Sequence, residues 1–238
     1  MSGGPYITRF SAWAPGIQGP GEWEQWARGR REIASGGNGP SGTHVPAIAF
    51  TDSLFRRRLS QISKMTVQVV HDLLPVGEDT KMFFVSFRGE LSRQYQINKM
   101  LIEEKALMPA AFSLSVFNAP AALASIAFGL KGGYSALYPG NNSFATALAA
   151  AEAFLFGAFP SEARELIFIY ADEEAPPEYR CFFRECPPAL AFALLLSQEP
   201  QPLSVPLSSL KEGDAGSESG PPDFLRRLLL CGKIRVSS

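Results

Sequence analysis

Between Lys81 and Ser197 the chain alternates short apolar runs with longer stretches of helical periodicity, and that alternation narrows the folds open to it. Lys81–Phe87 (KMFFVSF) reads as a buried strand. Phe112–Val116, Tyr134–Tyr138, Glu165–Ala171 (ELIFIYA) and Leu190–Ser197 (LAFALLLS) are predicted strands as well. Glu90–Glu103, Ala119–Leu130 and Ser143–Phe156 are the predicted helices between them. Strands that alternate with helices imply a parallel sheet with right-handed crossovers. The pattern therefore predicts an α/β domain with helices covering the sheet.

The flanks add elements of the same kind. Tyr6–Ala14 (YITRFSAWA) is a predicted strand, and the GEWEQWARG segment after it is a short helix with Trp23 and Trp26 on one face. Residues 35–47 are loop by composition. Ser53–Leu74 carries Leu54, Phe55, Leu59, Ile62, Met65, Val69 and Leu73 at helical spacing and is expected to end at Pro75. We expect one domain over 1–210, a polar linker over 211–222 and a tail helix within 223–238.

Composition bounds function. With 238 residues, 46% of them hydrophobic, the chain can bury a sizeable core. A formal net charge of −1 gives no electrostatic reason to expect nucleic acid or an anionic membrane as the main partner. No run approaches the roughly 20 apolar residues of a membrane span. Three cysteines are too few for a disulfide framework, and no secretory signal precedes them, so a reduced, cytoplasmic protein is expected.

Particular residues go further than pattern. Asn118-Ala-Pro, Ser125-Ile126 and Gly129-Leu130-Lys131-Gly132 follow one another ahead of Tyr134–Tyr138. Ser86-Phe87-Arg88-Gly89-Glu90-Leu91 and Phe112-Ser-Leu-Ser-Val-Phe-Asn118 precede them. In that order they resemble the segment leading to the active-site elbow of β-ketoacyl synthases. The likeness is to the short, ketosynthase-like branch called chain-length factors, encoded beside aryl-polyene and related type II polyketide enzymes. It covers about residues 5–200 and is densest over 81–157.

The resemblance implies a thiolase-like fold, a mostly parallel mixed sheet forming one half of a full ketosynthase. In a full ketosynthase the second half supplies two catalytic histidines. Here the histidines are His44 and His71, both upstream of the elbow, and neither takes that role. The family's nucleophilic cysteine falls on Asn141 counting from Gly132, or on Gly140 counting back from Gly157. Either way no thiolate stands at the helix N-terminus, where the dipole and free N–H groups would activate it. The expectation is a subunit with no catalytic residue, no metal and no cofactor. It would pair as a heterodimer with an active β-ketoacyl synthase and meet acyl carrier protein through that complex. Asn118, Tyr134, Ser135, Ala136, Leu137 and Tyr138 are the interface candidates, since ketosynthases dimerise through the strand before the elbow. Phe112, Phe117, Tyr138 and Phe144 are candidates to line an acyl tunnel.

Rival readings rest on other residues. Ser143 could serve an acyl-thioester transferase or hydrolase, although Gly140-Asn-Asn-Ser143 is not G-x-S-x-G and no histidine follows it; an N-cap is the plainer role. A degenerate structural domain is the third alternative. Cys181 and Cys186 lack the neighbours of a metal site. His71-Asp72 reads as a surface pair, Arg56-Arg57-Arg58 as a solvated helix face or a site for an acidic carrier protein, and Asp172-Glu173-Glu174 as a solvated turn.

Overall fold

The computed structural model describes residues 4–35, 44–105, 109–140, 143–157, 164–183, 186–211 and 220–234. In chain order the elements are β1 (Tyr6–Trp13), α1 (Gly19–Ala27), α2 (Ser53–Arg58), α3 (Gln61–His71), β2 (Lys81–Val85) and α4 (Leu91–Glu103). Then come α5 (Pro109–Ser113), α6 (Ala119–Phe128), β3 (Tyr134–Leu137), α7 (Phe144–Phe156) and β4 (Glu165–Asp172). A 3-10 turn (Pro177–Phe182) leads to β5 (Leu190–Ser197), β6 (Val205–Pro206), α8 (Ser208–Lys211) and α9 (Pro221–Leu230).

Among the described residues the strands form a six-stranded sheet in the order β3-β2-β4-β5-β1-β6. β2 pairs in parallel with β3 and β4, whereas β5 runs antiparallel to both β4 and β1. The sheet is thus mixed, parallel on the side that carries the elbow. Both faces are buried, and side-chain alternation divides the strands cleanly. Phe83, Val85, Leu166, Phe168, Tyr170, Phe192 and Leu194 point to one face with Trp23 and Trp26 of α1, Phe144 and Leu148 of α7, and Phe224 and Leu228 of α9. Met82, Phe84, Ile167, Ile169, Ala191 and Ala193 point to the other, with Ile62, Met65 and Val69 of α3 and Ala121 and Ala124 of α6. Continuous apolar strands are what a sheet covered on both faces requires.

Chain direction across the sheet places the helices. From β2 the chain steps outward to β3, and from β3 it steps back across β2 to β4. Right-handed crossovers in opposite directions must lie on opposite faces. Accordingly α6 covers one face and α7 the other.

Two sequence expectations are corrected. Ser53–Leu74 is two helices, because Leu59 is extended (φ −78°, ψ 132°) and each helix has its own cap. Asp52 accepts from the Leu54 and Phe55 N–H groups, and Ser60 from Ser63 N–H. The break lets Leu59 turn inward, where it is 6% exposed. Phe112–Val116 is not a strand. The chain there forms the end of α5 and a turn in which Ser115 donates twice, through N–H and Oγ, to the Phe112 carbonyl. Serine side chains that bond the local backbone favour such turns over a ladder, and β3 already fills the place beside β2.

Candidate functional site

β2 leaves its C-terminal end toward the α6 face, and its neighbour β3 leaves toward the α7 face. A crevice outside the carboxyl ends of two such strands is where open α/β sheets place their sites. Here the strand ends that would flank such a site are Ser86 and the Tyr138–Gly140 turn.

One wall is held by a buried carboxylate. Asp172, at the end of β4, is 1% exposed. It accepts from Ser86 Oγ at 2.6 Å, Arg88 N–H at 3.0 Å, Phe87 N–H at 3.1 Å and Tyr170 OH at 2.9 Å. Ser86 Oγ in turn accepts from Gly89 N–H at 2.7 Å. The Ser86–Glu90 loop is thereby fixed to the strand two residues beyond the end of the ladder. Gly89 has φ +58°, and a Cβ there would meet the Phe117 ring at 2.7 Å, so this position favours glycine on both counts.

Two further carboxylates sit behind the loop. Glu173, 1% exposed, accepts from Ser92 N–H at 2.8 Å at the start of α4. Glu90, fully buried, accepts from Ser60 and Ser63 hydroxyls at 2.7 Å each, while its second oxygen faces Arg93 Nε at 3.6 Å. Burial pushes all three acids up from their ordinary values, Glu173 to about 7. The Asp172-Glu173-Glu174 run is therefore no solvated turn. Its first two residues are buried, and Glu174 pairs with Arg180 at 2.5 Å.

The other wall is the elbow. β3 runs through Tyr138 to Gly140 (φ +58°), and Ser143 then opens α7. Gly140 supplies no side chain, and Asn141 lies outside the described residues. Ser143 Oγ accepts from Thr146 N–H at 3.3 Å and bonds Thr146 Oγ1 at 2.9 Å, which is an N-cap. His71 cannot serve it. The α3 N-terminus meets Glu90 near the end of β2, and His71 lies eleven residues along that helix from Ser60, about 16 Å by helical rise. There His71 stacks on Phe50 at 3.6 Å and bonds Asp72 at 3.0 Å. The His44 carbonyl accepts from Gln61 Nε2. Arg57 and Arg58 are exposed. Cys181 and Cys186 are free thiols, and no metal-holding cluster occurs among the described residues.

β3 is an edge strand: among the described residues it pairs only with β2. The carbonyls of Gly133 and Leu137 accept from Met82 and Ser86 N–H, so the inward-facing backbone groups belong to alternate residues. Those of Tyr134 and Ala136 face outward, and both residues are exposed. Asn118 Nδ2 donates to Tyr134 OH at 3.1 Å, bringing two interface candidates together. The tunnel candidates are dispersed. Phe144 packs on one sheet face among Phe168, Tyr170, Phe192 and Phe224, whereas Phe117 lies against Phe84 on the other. Phe112 and Tyr138 are 55% and 59% exposed. A surface groove of about 960 Å³ lies at the opposite end of the sheet, around Gly77–Lys81, Gly132 and Arg164.

Comparison with known proteins gives this arrangement its relatives. No helix among the described residues is long and apolar enough to cross a membrane. No curated protein matches the chain in sequence. The solved complex of the ketosynthase ApeO with its chain length factor ApeC from Xenorhabdus doucetiae superposes with TM-score 0.70 at 23% identity, covering 95% of this chain and 91% of that one. The ishigamide ketosynthase/chain length factor gives 0.60 at 17%, covering 82% and 62%. AntDE:AntF, a type II polyketide synthase acyl-carrier protein in complex with its hexaketide-bound ketosynthase, gives 0.58 at 13%, covering 83% and 64%. At these identities the likeness is one of fold, and the fold is the thiolase-like α/β arrangement that the sequence motifs implied. Residues 23–224, from within α1 to within α9, match the model described as the β-ketoacyl synthase N-terminal domain, and the chain belongs to that family.

Proposed function

We propose that this chain is a catalytically silent, chain-length-factor-like subunit that pairs through β3 with an active β-ketoacyl synthase and helps shape its acyl pocket, in type II fatty acid or polyketide (aryl polyene) synthesis. The observation that carries this reading is the open edge of β3, which leads straight into an elbow where Gly140 offers no nucleophile. Its surroundings suit a protein partner. On α7 the exposed residues Ala145, Thr146, Ala149, Ala153 and Phe156 are uncharged, with Glu152 half-buried beside them, and Ile126 of α6 is 71% exposed. An ordinary surface helix carries charged residues there. Sheet continuation across β3 would give a partner the main-chain hydrogen bonds that specify register, and an obligate interface of this kind buries more than about 2,000 Å². Coverage of 95% and 91% makes the chain matched in the ApeO–ApeC complex nearly equal in length to this one, so a chain of this size has a counterpart in a ketosynthase assembly. Acyl carrier protein would be met through the complex.

Co-expression with its cognate β-ketoacyl synthase tests the proposal. The two proteins should co-purify, and Ala136→Pro should abolish the pairing. A proline there removes an outward N–H and leaves the bonds to β2 intact, so the variant's circular dichroism should match the parent. A chain that stays monomeric with that ketosynthase, or an Ala136→Pro variant that pairs normally, would count against it. Thioester turnover by the isolated chain, lost in Ser143→Ala, would instead establish the hydrolase reading.

A further inference from the structure

The segment after β4 folds back across the loop and helix behind the site. Tyr179 packs edge-to-face on Tyr95 of α4 with 5.4 Å between ring centroids, and the Phe183 ring lies 5.8 Å from the Arg88 guanidinium. Cys181 and Cys186 belong to this segment, and both thiols turn toward carbonyls of the same 3-10 turn. Cys181 Sγ donates to the Glu178 carbonyl at 3.6 Å and Cys186 Sγ to the Arg180 carbonyl at 3.7 Å. One trans peptide joins the Arg180 carbonyl to Cys181, placing Cys181 Cα about 3 Å from that oxygen. The Cys186 sulfur is therefore within roughly 7 Å of Cys181 Cα, a separation that rotation of the Cys181 side chain and a small shift of the turn can close. Cys181 is exposed and Cys186 half-buried. The third thiol, Cys231, donates to the Leu228 carbonyl at the end of α9 and serves as an internal control.

We propose that Cys181 and Cys186 form a reversible oxidation site, at which a hydroperoxide generates an intramolecular disulfide. The exposed Cys181 thiolate attacks a peroxide oxygen. The S–O bond forms, the O–O bond breaks, and the other oxygen takes a proton and leaves as an alcohol or as water. Cys186 then attacks the sulfenic sulfur, forming the S–S bond as the S–O bond breaks and water departs. Two thiols lose two electrons and the hydroperoxide gains them. Because the same turn touches Tyr95 and Arg88, the disulfide holds it against α4 and the Ser86–Glu90 loop, and a dithiol reductant releases it.

The test uses the whole protein with hydrogen peroxide, read by intact mass, thiol titration and non-reducing peptide mapping. The expected product has lost two hydrogens, has one titratable thiol left of the three, and joins the peptides of Cys181 and Cys186. Dithiothreitol should restore all three, and amide exchange along Leu91–Glu103 should slow in the oxidised form. Cys186→Ser should trap oxygen on Cys181. Oxygen adducts on the unmutated protein with no disulfide, a bridge to Cys231, or covalent dimers alone would each overturn the proposal.

Discussion

Replacing Glu173 by glutamine should abolish a large part of the protein's pH-dependent stability. Burial raises this carboxyl from 4.5 to about 7, against the smaller opposing effect of its bond from Ser92 N–H. A raised acid means that the folded state binds the proton more tightly than the unfolded chain does. Its contribution is therefore fully present below about pH 4.5 and is lost as pH rises through about 7. The whole shift corresponds to roughly 3 kcal/mol, most of which falls between pH 5 and pH 8. Glu90 and Asp172 are shifted in the same direction, so the unmutated protein should lose stability across this range more steeply than Glu173 alone dictates.

Glutamine keeps an acceptor for Ser92 N–H and carries no charge at any pH. The Glu173→Gln variant should thus resemble the parent at pH 5 and exceed it by about 1–3 kcal/mol at pH 8. Urea unfolding followed by far-UV circular dichroism, repeated from pH 5 to pH 8.5, measures the difference directly. Parallel stability curves, or a variant weaker than the parent at pH 8, would refute the assignment of a retained proton to this buried group. Such a result would mean that Arg88 or Arg93 compensates the charge more fully than their placement implies.

Two further outcomes follow from the packing. Phe144→Ala removes a ring 2% exposed and in contact with Phe168, Tyr170, Phe192 and Phe224, and should cost about 3–5 kcal/mol in denaturant unfolding; a loss below about 1 kcal/mol would show that the ring faces an open cavity. Ser143→Ala should cost about 0.5–2 kcal/mol through the lost cap and leave any background thioester hydrolysis unchanged.

Much of this fold was legible in the residues, because strand signals are local. LAFALLLS and ELIFIYA announce strands covered on both faces, and both lie in the middle of the sheet. The antiparallel course of β5 was not legible, since direction depends on where the chain returns and not on the run itself. Phe112–Val116 misled because apolar and serine residues alternate there as they would in a half-buried strand, while Ser115 closes a turn. The buried acids were missed for a different reason. Asp172-Glu173-Glu174 looks like a solvated turn in isolation, and the serine that justifies burying Asp172 is 86 residues away. A usable signal did exist: an acid that directly extends a fully apolar strand, beside a neighbouring strand that ends in serine. The open edge of β3 was anticipated only through family likeness, because four residues of YSAL carry no mark of what lies beside them.

The loop after β2 and the start of α7 are stabilised independently, which suits the proposed reading of an elbow that keeps its frame without a nucleophile. Asp172, Ser86, Tyr170 and the backbone of Phe87 and Arg88 hold the β2 loop without any contribution from the elbow. On the elbow side, the Ser143 cap and the buried Phe144 secure the start of α7. Gly140 enters the turn at φ +58°, a conformation that favours glycine. On the proposed reading, the loss of a thiol at the elbow would remove chemistry while both supports stay in place. On that reading, selection would act on the proposed partner surfaces, the β3 edge and the apolar exposed residues of α6 and α7.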